Sequence, residues 1–348
     1  MSSCCGQGQQ SKRKVDVIFT GSLLLVTLFY VTHLVIEYAG VSLPFIQTFA
    51  LDVFTIMNSM WWGLALGVVF VALVGAVPKE LVMSALGKGG TVKGLARATV
   101  AGVMLDLCSH GVLMVGAKLY KRGASLGQVM AFLIASPWNS FSLMLILWAL
   151  IGWQWMLAFL LLSMVIAFVS GVVFDHLVQK GVLASNPNTF DMPEDYHFKN
   201  EALKALKTAN KSPKNLLQIL KTGMGDAKVV IKWLMFGVLL AAAVRAVMDG
   251  EMFATYFGAT LLGLAVTTLA ATVIEVCSEG SVPFAADIFN KAEAKGNAFA
   301  FLMAGVSTDY TEIMVLRETF GEWKRALFLP LITLPQILVL AFAINTLF

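Results

Sequence analysis

Long apolar runs constrain what this chain can fold into more than any other feature of its sequence. Several of them reach the roughly 18 residues that a helix needs to cross a bilayer, among them residues 17–36, 52–77, 156–174, 253–274 and 326–347. Only 13% of the 348 residues are charged, whereas soluble domains carry about 25%. Because a chain in lipid must satisfy its backbone hydrogen bonds internally, runs of this kind form helices. The sequence therefore predicts an all-α, polytopic membrane protein.

A short polar motif occurs twice within this apolar sequence. Residues 106–111 (DLCSHG) are matched 169 residues later by residues 275–280 (EVCSEG). The match continues at the same offset, since residues 131–135 (AFLIA) correspond to residues 300–304 (AFLMA). A duplication centred on polar groups at membrane depth is typical of transporters, whose binding sites lie where two repeats meet.

Loop charge predicts how the chain is divided. We expect a cytoplasmic tail over residues 1–14, a first membrane repeat with an extra N-terminal span over 15–174, a cytoplasmic loop over 175–228, and a second membrane repeat over 229–348. Basic loops stay on the cytoplasmic side. The basic turns of the first half can share that side only if the first motif segment enters and returns there as a hairpin.

The second half predicts the opposite orientation. Its turn at residues 287–295 has balanced charge, as expected outside, whereas the last turn at residues 317–325 is net positive, as expected inside. This pattern predicts two inverted repeats with about seven full spans plus two motif hairpins, or ten to eleven helices if the hairpins cross. The basic stretch 199–228 is expected to fix topology, with a partner-binding role left open.

Four motif residues titrate, and they form two equivalent pairs. Asp106 corresponds to Glu275, and His110 corresponds to Glu279. A charged side chain at the bilayer centre costs at least ~2.5–3.5 kcal/mol, so such residues commonly serve function. We expect these four to exchange protons or to balance the charge of a cationic solute. The alternatives are neutral acids hydrogen-bonded to a helix terminus and a histidine that only packs.

The cysteines form two unlike groups. Cys108 and Cys277 lie within the motifs, while Cys4 and Cys5 are adjacent in the tail. Thiolates are ligands for soft metals and metalloids such as trivalent arsenic. The motif thiols, and also the tail pair, are therefore candidate metal ligands. Cysteine also packs as a small buried hydrophobe, and two isolated cysteines make no recognised metal spacing.

A second layer of polar candidates interrupts later apolar runs. Ser136, Pro137 and Asn139 lie in the middle of residues 128–151, and Asp309 and Glu312 lie in the corresponding part of the second half. Proline inside a span frees a backbone carbonyl, which then finds a cavity or a ligand. We expect these residues to line a solute pathway.

The arrangement C-S-x-G, a basic turn at residues 121–125 and the run at residues 131–137 resembles the ArsP-type (YraQ-like) predicted permease family. The similarity covers roughly residues 55–174 and 229–346. It implies a multi-pass permease of the bacterial inner (plasma) membrane, expected here with a cytoplasmic N-terminus, and some members export trivalent organoarsenicals through cysteine-containing sites. The residues that the resemblance places along the pathway are Cys108, Ser109, Gly111, Cys277, Ser278 and Gly280.

This chain departs from the family at two motif positions. His110 and Glu279 stand where family members often have a second cysteine, and Met114 replaces a proline often found after the first motif. A divalent metal cation or another small solute is therefore an alternative substrate. The harder ligands at these two positions suit such a cation better than a thiol pair would.

Together these features predict an inner-membrane permease that exports a soft metal or metalloid by alternating access, with coupling to the proton gradient as a hypothesis. No catalytic residue and no cofactor are expected, and the sequence has no Walker-type phosphate loop. The expected partners are the lipid bilayer and a small metal or metalloid solute, with no nucleic acid, and homo-oligomerisation is left open. Two alternatives are an intramembrane enzyme using Cys108 and His110, and an anchor subunit acting through residues 199–228.

Overall fold

The computed structural model is helical throughout the part of the chain that it describes, and that part contains no strand. The described residues are 17–39, 44–76, 84–105, 109–136, 138, 141–189, 217–218, 221–225, 228, 231–232, 235–236, 238–239, 242–243, 256–274 and 278–348. The helices with defined bounds are α1 (Val17–Ala39), α2 (Pro44–Ala76), α3 (Val92–Met104), α4 (Ser109–Lys121), α5 (Leu126–Ala135), α6 (Phe141–Ile151), α7 (Trp153–Gln179), α8 (Leu261–Ile274), α9 (Ser278–Lys291), α10 (Lys295–Thr308), α11 (Tyr310–Phe320) and α12 (Trp323–Leu347).

Several of these helices have the length and apolarity of membrane spans. Within the described residues, α1, α7, α12 and the pair α10–α11, taken together as Lys295–Phe320, are long and apolar enough to cross a bilayer. Large apolar side chains are exposed along them, for example Leu24 at 65% and Val339 at 67%, as expected of surfaces in contact with lipid. The prediction of a helical, multi-pass membrane protein is confirmed. The predicted number of spans stays a prediction.

Helix boundaries differ from the apolar runs in two places. The run at residues 128–151 is divided, because α5 ends at Ala135 and α6 begins only at Phe141. The run at residues 253–274 starts late, because residues 257–260 are not helical and α8 begins at Leu261. Hydropathy marks what lies at membrane depth, but it does not mark where a helix is interrupted there.

In the first half, α3 and α4 run in opposite directions beside α5. The Gln128 side chain, at the start of α5, donates to the Gly87 carbonyl (3.0 Å) just before α3. Near the other end of α5, Phe132 and Ala135 lie against Gly102 of α3. Helix α4 ends at the short turn that leads into α5. Helix α3 has only 13 residues, about 20 Å at 1.5 Å per residue, which is shorter than the ~30 Å hydrocarbon core.

The second half repeats this arrangement with different residues. The Asn297 side chain, at the start of α10, donates to the Gly258 carbonyl (2.8 Å) before α8. Near the far end of α10, the hydroxyls of Thr308 and Thr272 lie 2.7 Å apart, which places the end of α8 there. Helix α9 returns to the short turn that precedes α10. Helix α8 therefore runs parallel to α10 and α9 runs antiparallel to it.

Matching hydrogen bonds fasten the last helix of each half. The Gly127 amide donates to Asp175 Oδ1 (3.0 Å) at the end of α7. The Gly296 amide, 169 residues later, donates to Asn345 Oδ1 (2.7 Å) at the end of α12. These bonds satisfy amides at the starts of α5 and α10, which have no partner within their own helices.

The long helices α7 and α12 run in opposite directions. The start of α12 lies at the end of α4, where Arg325 Nη1 donates to the Tyr120 hydroxyl (2.6 Å). The start of α7 lies at the chain end, where the rings of Trp155 and Phe348 are 5.3 Å apart. Helices α7 and α12 therefore lie antiparallel. We call residues 118–125, 176–186 and 321–325 the basic face, and residues 150–155, 288–296 and 345–348 the opposite face.

Candidate functional site

The first polar interruption lies between α5 and α6, deep inside the protein. Ser136 caps the end of α5 and is fully buried, yet its hydroxyl has no hydrogen-bond partner among the described residues. Trp138 follows it, 1% exposed, and its indole Nε1 donates to the sulfur of Met303 (3.2 Å). Buried hydroxyls are normally hydrogen-bonded, because leaving one unpaired costs about 1–3 kcal/mol. The predicted place of Ser136 on a solute pathway stays a prediction.

The second interruption lies between α10 and α11 and is built on Asp309. Its Oδ1 accepts hydrogen bonds from the amides of Thr311 (2.6 Å) and Glu312 (3.3 Å), which makes Asp309 the N-cap of α11. An acidic cap satisfies the first amides of the helix and complements the positive end of its dipole. Asp309 therefore has a structural role that accounts for its acidity. Its predicted place on a solute pathway stays a prediction.

Glu312 differs from Asp309 because no such structural role accounts for it. Its side chain is 7% exposed, and none of the described residues donates a hydrogen bond to its carboxyl oxygens. A lone carboxylate in an apolar interior is strongly unfavourable, since several kcal/mol of hydration are lost without compensation. The group is stable there if it carries a proton or has a cation beside it. Glu312 is consequently the strongest candidate among the described site residues.

The two interruptions lie close together. Met303, which accepts the hydrogen bond from Trp138, is on α10 six residues before Asp309. Helices α5 and α10 also contact each other directly. The first interruption is thus in contact with the helix that leads to the second.

Eight of the predicted site residues lie outside the described part of the chain. These are Cys4, Cys5, Asp106, Cys108, Pro137, Asn139, Glu275 and Cys277. The side chains of Ser109, His110, Ser278 and Glu279 are likewise not described, although α4 begins at Ser109 and α9 at Ser278. Gly111 is buried, and Gly280 lies in the first turn of α9. The described end of each motif therefore lies within α4 or α9, and residues 106–108 and 275–277 lie outside the described part of the chain.

Sequence reasoning missed the contacts that join the halves. The Tyr120–Arg325 hydrogen bond and the Gln336 side-chain bond to Ser170 Oγ (2.9 Å) connect residues that are 205 and 166 positions apart. The only local signal was an arginine at the start of an apolar run. No group of three or more His, Cys, Asp or Glu side chains that could hold a metal occurs within the described residues.

A helical multi-pass membrane protein with buried polar groups between its two halves belongs, as a class, with the solute transporters. The chain matches the ArsP-type family, described as "Predicted permease", over residues 47–346. The chain therefore belongs to this family, as its motifs had indicated. Family membership points to a transporter rather than an enzyme, and a protein of this class contacts the lipid bilayer.

Two relatives agree with this assignment. A Mycobacterium tuberculosis protein named "Putative permease" is 26% identical over 228 residues, which is 60% of this chain and 55% of that protein. A Methanocaldococcus jannaschii protein named "UPF0718 protein" is 22% identical over 286 residues, covering 68% of this chain and 78% of that protein. The match thus spans about half the length of the mycobacterial relative. No solved structure matches the chain.

Proposed function

We propose that the chain moves a small solute across the membrane by alternating access between two inverted repeats, residues 15–174 and 229–348. The observation that carries this proposal is a pair of hydrogen bonds at corresponding positions of the two halves. Gly127 bonds to Asp175 in one half as Gly296 bonds to Asn345 in the other. The two sets of helices run in opposite directions, an arrangement common to many secondary transporters. The tail at 1–14 and the loop at 175–228 complete the chain on the cytoplasmic side.

The proposed solute is a soft metal or metalloid, such as a trivalent organoarsenical, which the protein exports. It binds between Cys108 and Cys277, with Ser109, Gly111, Ser278 and Gly280 along the pathway. The chemistry of thiol ligands supports this choice. The adjacent thiols Cys4 and Cys5 are proposed to capture the same species in the cytoplasm.

The proposed energy source is the proton gradient. Asp106, Glu275, His110 and Glu279 exchange protons as the repeats rock, and Glu312 does so at the second interruption. The burial of Glu312 without a hydrogen-bond donor among the described residues supports this role, because such a carboxyl favours a bound proton. Ser136, Pro137, Asn139 and Asp309 are proposed to line the pathway beside it.

A second candidate solute is a divalent metal cation. The same unpaired carboxyl of Glu312 favours it, since a cation stabilises a buried carboxylate as well as a proton does. His110 and Glu279, which stand where a second thiol often occurs in the family, are ligands suited to harder metals.

The proposed location is the bacterial inner membrane, with the N-terminus and the basic face in the cytoplasm. Lys118, Lys121, Arg122 and Lys324 all lie on this face. The opposite face has Lys291 and Lys295 balanced in part by Glu293. Excess positive charge on cytoplasmic loops supports this orientation.

A metal and metalloid resistance panel tests the substrate. Cells would express the wild type, Cys108→Ser, Cys277→Ser or Glu279→Gln, with membrane expression matched by immunoblot. We expect resistance to trivalent organoarsenicals that either cysteine change abolishes. Resistance to divalent cations that depends on Glu279 instead would favour the second candidate. Resistance to none of the compounds would contradict a soft-metal substrate.

A further inference from the structure

The basic face of the molecule is closed by a polar contact between the two halves. Tyr120, at the end of α4, and Arg325, at the start of α12, are 3% and 5% exposed. Arg325 Nη1 donates to the Tyr120 hydroxyl (2.6 Å) and to the Phe320 carbonyl (3.2 Å). The Tyr120 ring packs edge-on against Phe320 at 4.6 Å. We call the Tyr120–Arg325 contact the polar latch.

The polar latch is held in place by its neighbours on the same face. The Asn186 side chain donates to the backbone carbonyl of Tyr120 (2.7 Å), and Lys324 Nζ donates to the carbonyl of Val182 (2.7 Å). Both bonds tie the segment after α7 into the contact. Glu322 Oε2 lies 3.5 Å from Arg325 Nε, but that nitrogen has no hydrogen bond within the described residues. Phe320 and Glu322 belong to the same half as Arg325, so among the described residues the Tyr120 hydroxyl is the hydrogen-bond partner that the other half provides.

On the opposite face, the two halves contact each other through aromatic side chains. Trp155, at the start of α7, packs edge-on against Phe289 at the end of α9 (5.6 Å) and against Phe348 (5.3 Å). Lys295 Nζ lies over the Trp155 ring at 5.0 Å. Asn290, next to Phe289, donates to the Leu150 carbonyl (3.2 Å), which joins α9 to α6. We call the Trp155–Phe289 contact the aromatic latch.

The two latches occupy corresponding positions of the two halves. Tyr120 is the twelfth residue of α4, which begins at Ser109, and Phe289 is the twelfth residue of α9, which begins at Ser278. Trp155 and Arg325 are each the third residue of a long helix, α7 and α12 respectively. The same pair of positions is therefore filled by a hydroxyl and a guanidinium on one face, and by two aromatic rings on the other.

We propose that these two contacts are opposing latches that set the balance between the two access states. The inference rests on the proposed rocking of two inverted repeats. Rocking opens one face while the other stays closed, so the two latches break in alternation. Weakening the polar latch then favours the state open at the basic face, and weakening the aromatic latch favours the state open at the opposite face.

Hydrogen-exchange mass spectrometry of the full-length protein in nanodiscs, without added solute, tests the latches. The variants are Tyr120→Phe, which removes only the hydroxyl, and Phe289→Leu, which removes the ring but keeps an apolar side chain. Tyr38→Phe is the matched control, because Tyr38 is 96% exposed and far from both contacts in sequence. A hydrogen bond to a charged group contributes enough for its loss to shift the balance by about tenfold.

We expect Tyr120→Phe to speed exchange at residues 118–125 and 321–325 and to slow it at residues 288–296. Phe289→Leu should have the reverse effect, and Tyr38→Phe should have neither. The slowing on the far face is decisive, because local loosening by a lost hydrogen bond cannot produce it. Changes confined to the mutated face, or no change, would overturn the latch proposal. The exchange experiment contains no solute, so its result does not depend on which solute the resistance panel identifies. A failure of the panel would therefore leave the latch proposal standing.

Discussion

At the scale of single residues, Glu312 carries the strongest functional signal in the described part of the chain. Asp309, three residues earlier, is just as acidic, but its carboxylate caps α11 through the amides of Thr311 and Glu312. The Glu312 side chain is buried, and its carboxyl group accepts no hydrogen bond from the described residues. Two neighbouring acids therefore differ in their contribution to the fold. Asp309 is needed to build the helix, and Glu312 is not.

This difference predicts what replacing Glu312 does. We expect Glu312→Gln to fold normally and to unfold at an equal or higher temperature, because a neutral amide avoids the penalty of a buried charge. Transport by this variant should no longer respond to an imposed pH gradient. Transport in inverted vesicles and thermal unfolding in detergent measure the two effects.

The matched control is Glu37→Gln, at a glutamate that is 72% exposed and lies 3.6 Å from His33 on α1. It should leave both quantities unchanged. If Glu312→Gln transports with the wild-type response to a pH gradient, Glu312 does not couple protons.

At the scale of helices, one glycine in each half allows two helix backbones to approach closely. A side chain on Gly127 would collide with the Gly171 carbonyl of α7, and one on Gly296 would collide with the Ala341 carbonyl of α12. Gly305, on α10, has open space around it. Close approach of helix backbones therefore depends on the first two positions and not on the third.

We expect Gly127→Ala and Gly296→Ala each to lower the free energy of unfolding by roughly 1–3 kcal/mol, the usual cost of forcing an extra methyl into a packed interior. Gly305→Ala should be neutral or stabilising, because alanine favours a helix by about 1 kcal/mol over glycine. Thermal unfolding of the three variants in one detergent measures this. Equal effects at all three positions would contradict the close packing of α5 on α7 and of α10 on α12.

The acid Asp175 and the amide Asn345 make the same bond in the two halves, but Asp175 has more partners. It also accepts hydrogen bonds from the Gly90 amide (3.2 Å) and the Ser125 hydroxyl (3.3 Å). It thereby fastens the segment before α3, the start of α5 and the end of α7 to one another. An acceptor oxygen is what all three donors require.

We therefore expect Asp175→Asn to lower the free energy of unfolding less than Asp175→Leu does, since an amide keeps one of the two acceptor oxygens that the three donors share. Asp175→Leu should lower the free energy of unfolding by about 1–3 kcal/mol, because buried donors lose their partner. Urea titration of the detergent-solubilised protein compares the two. If Asp175→Asn lowers the free energy of unfolding as much as Asp175→Leu does, the charge of Asp175 rather than its acceptor oxygens holds the three segments together.

At the scale of the whole molecule, the positions of helices could be predicted from the sequence, but the contacts between residues far apart in sequence could not. Apolar runs located α1, α7 and α12 within a few residues, and Pro137 marked the interruption after α5. The partners of Gly127 and Tyr120 could not be predicted, since 48 and 205 positions separate them from Asp175 and Arg325. Periodicity and propensity describe a chain over a few turns. Contacts between distant helices depend on how whole elements cross.

The central claim is that a polar site between two inverted repeats is reached in alternation from both sides of the membrane. Labelling of Cys277 as the sole cysteine, with Cys4, Cys5 and Cys108 replaced by serine, tests it most directly. A membrane-impermeant maleimide would be applied separately to right-side-out and inverted vesicles. We predict labelling from both sides. A thiol that reacts from one side only, or from neither, would contradict the claim.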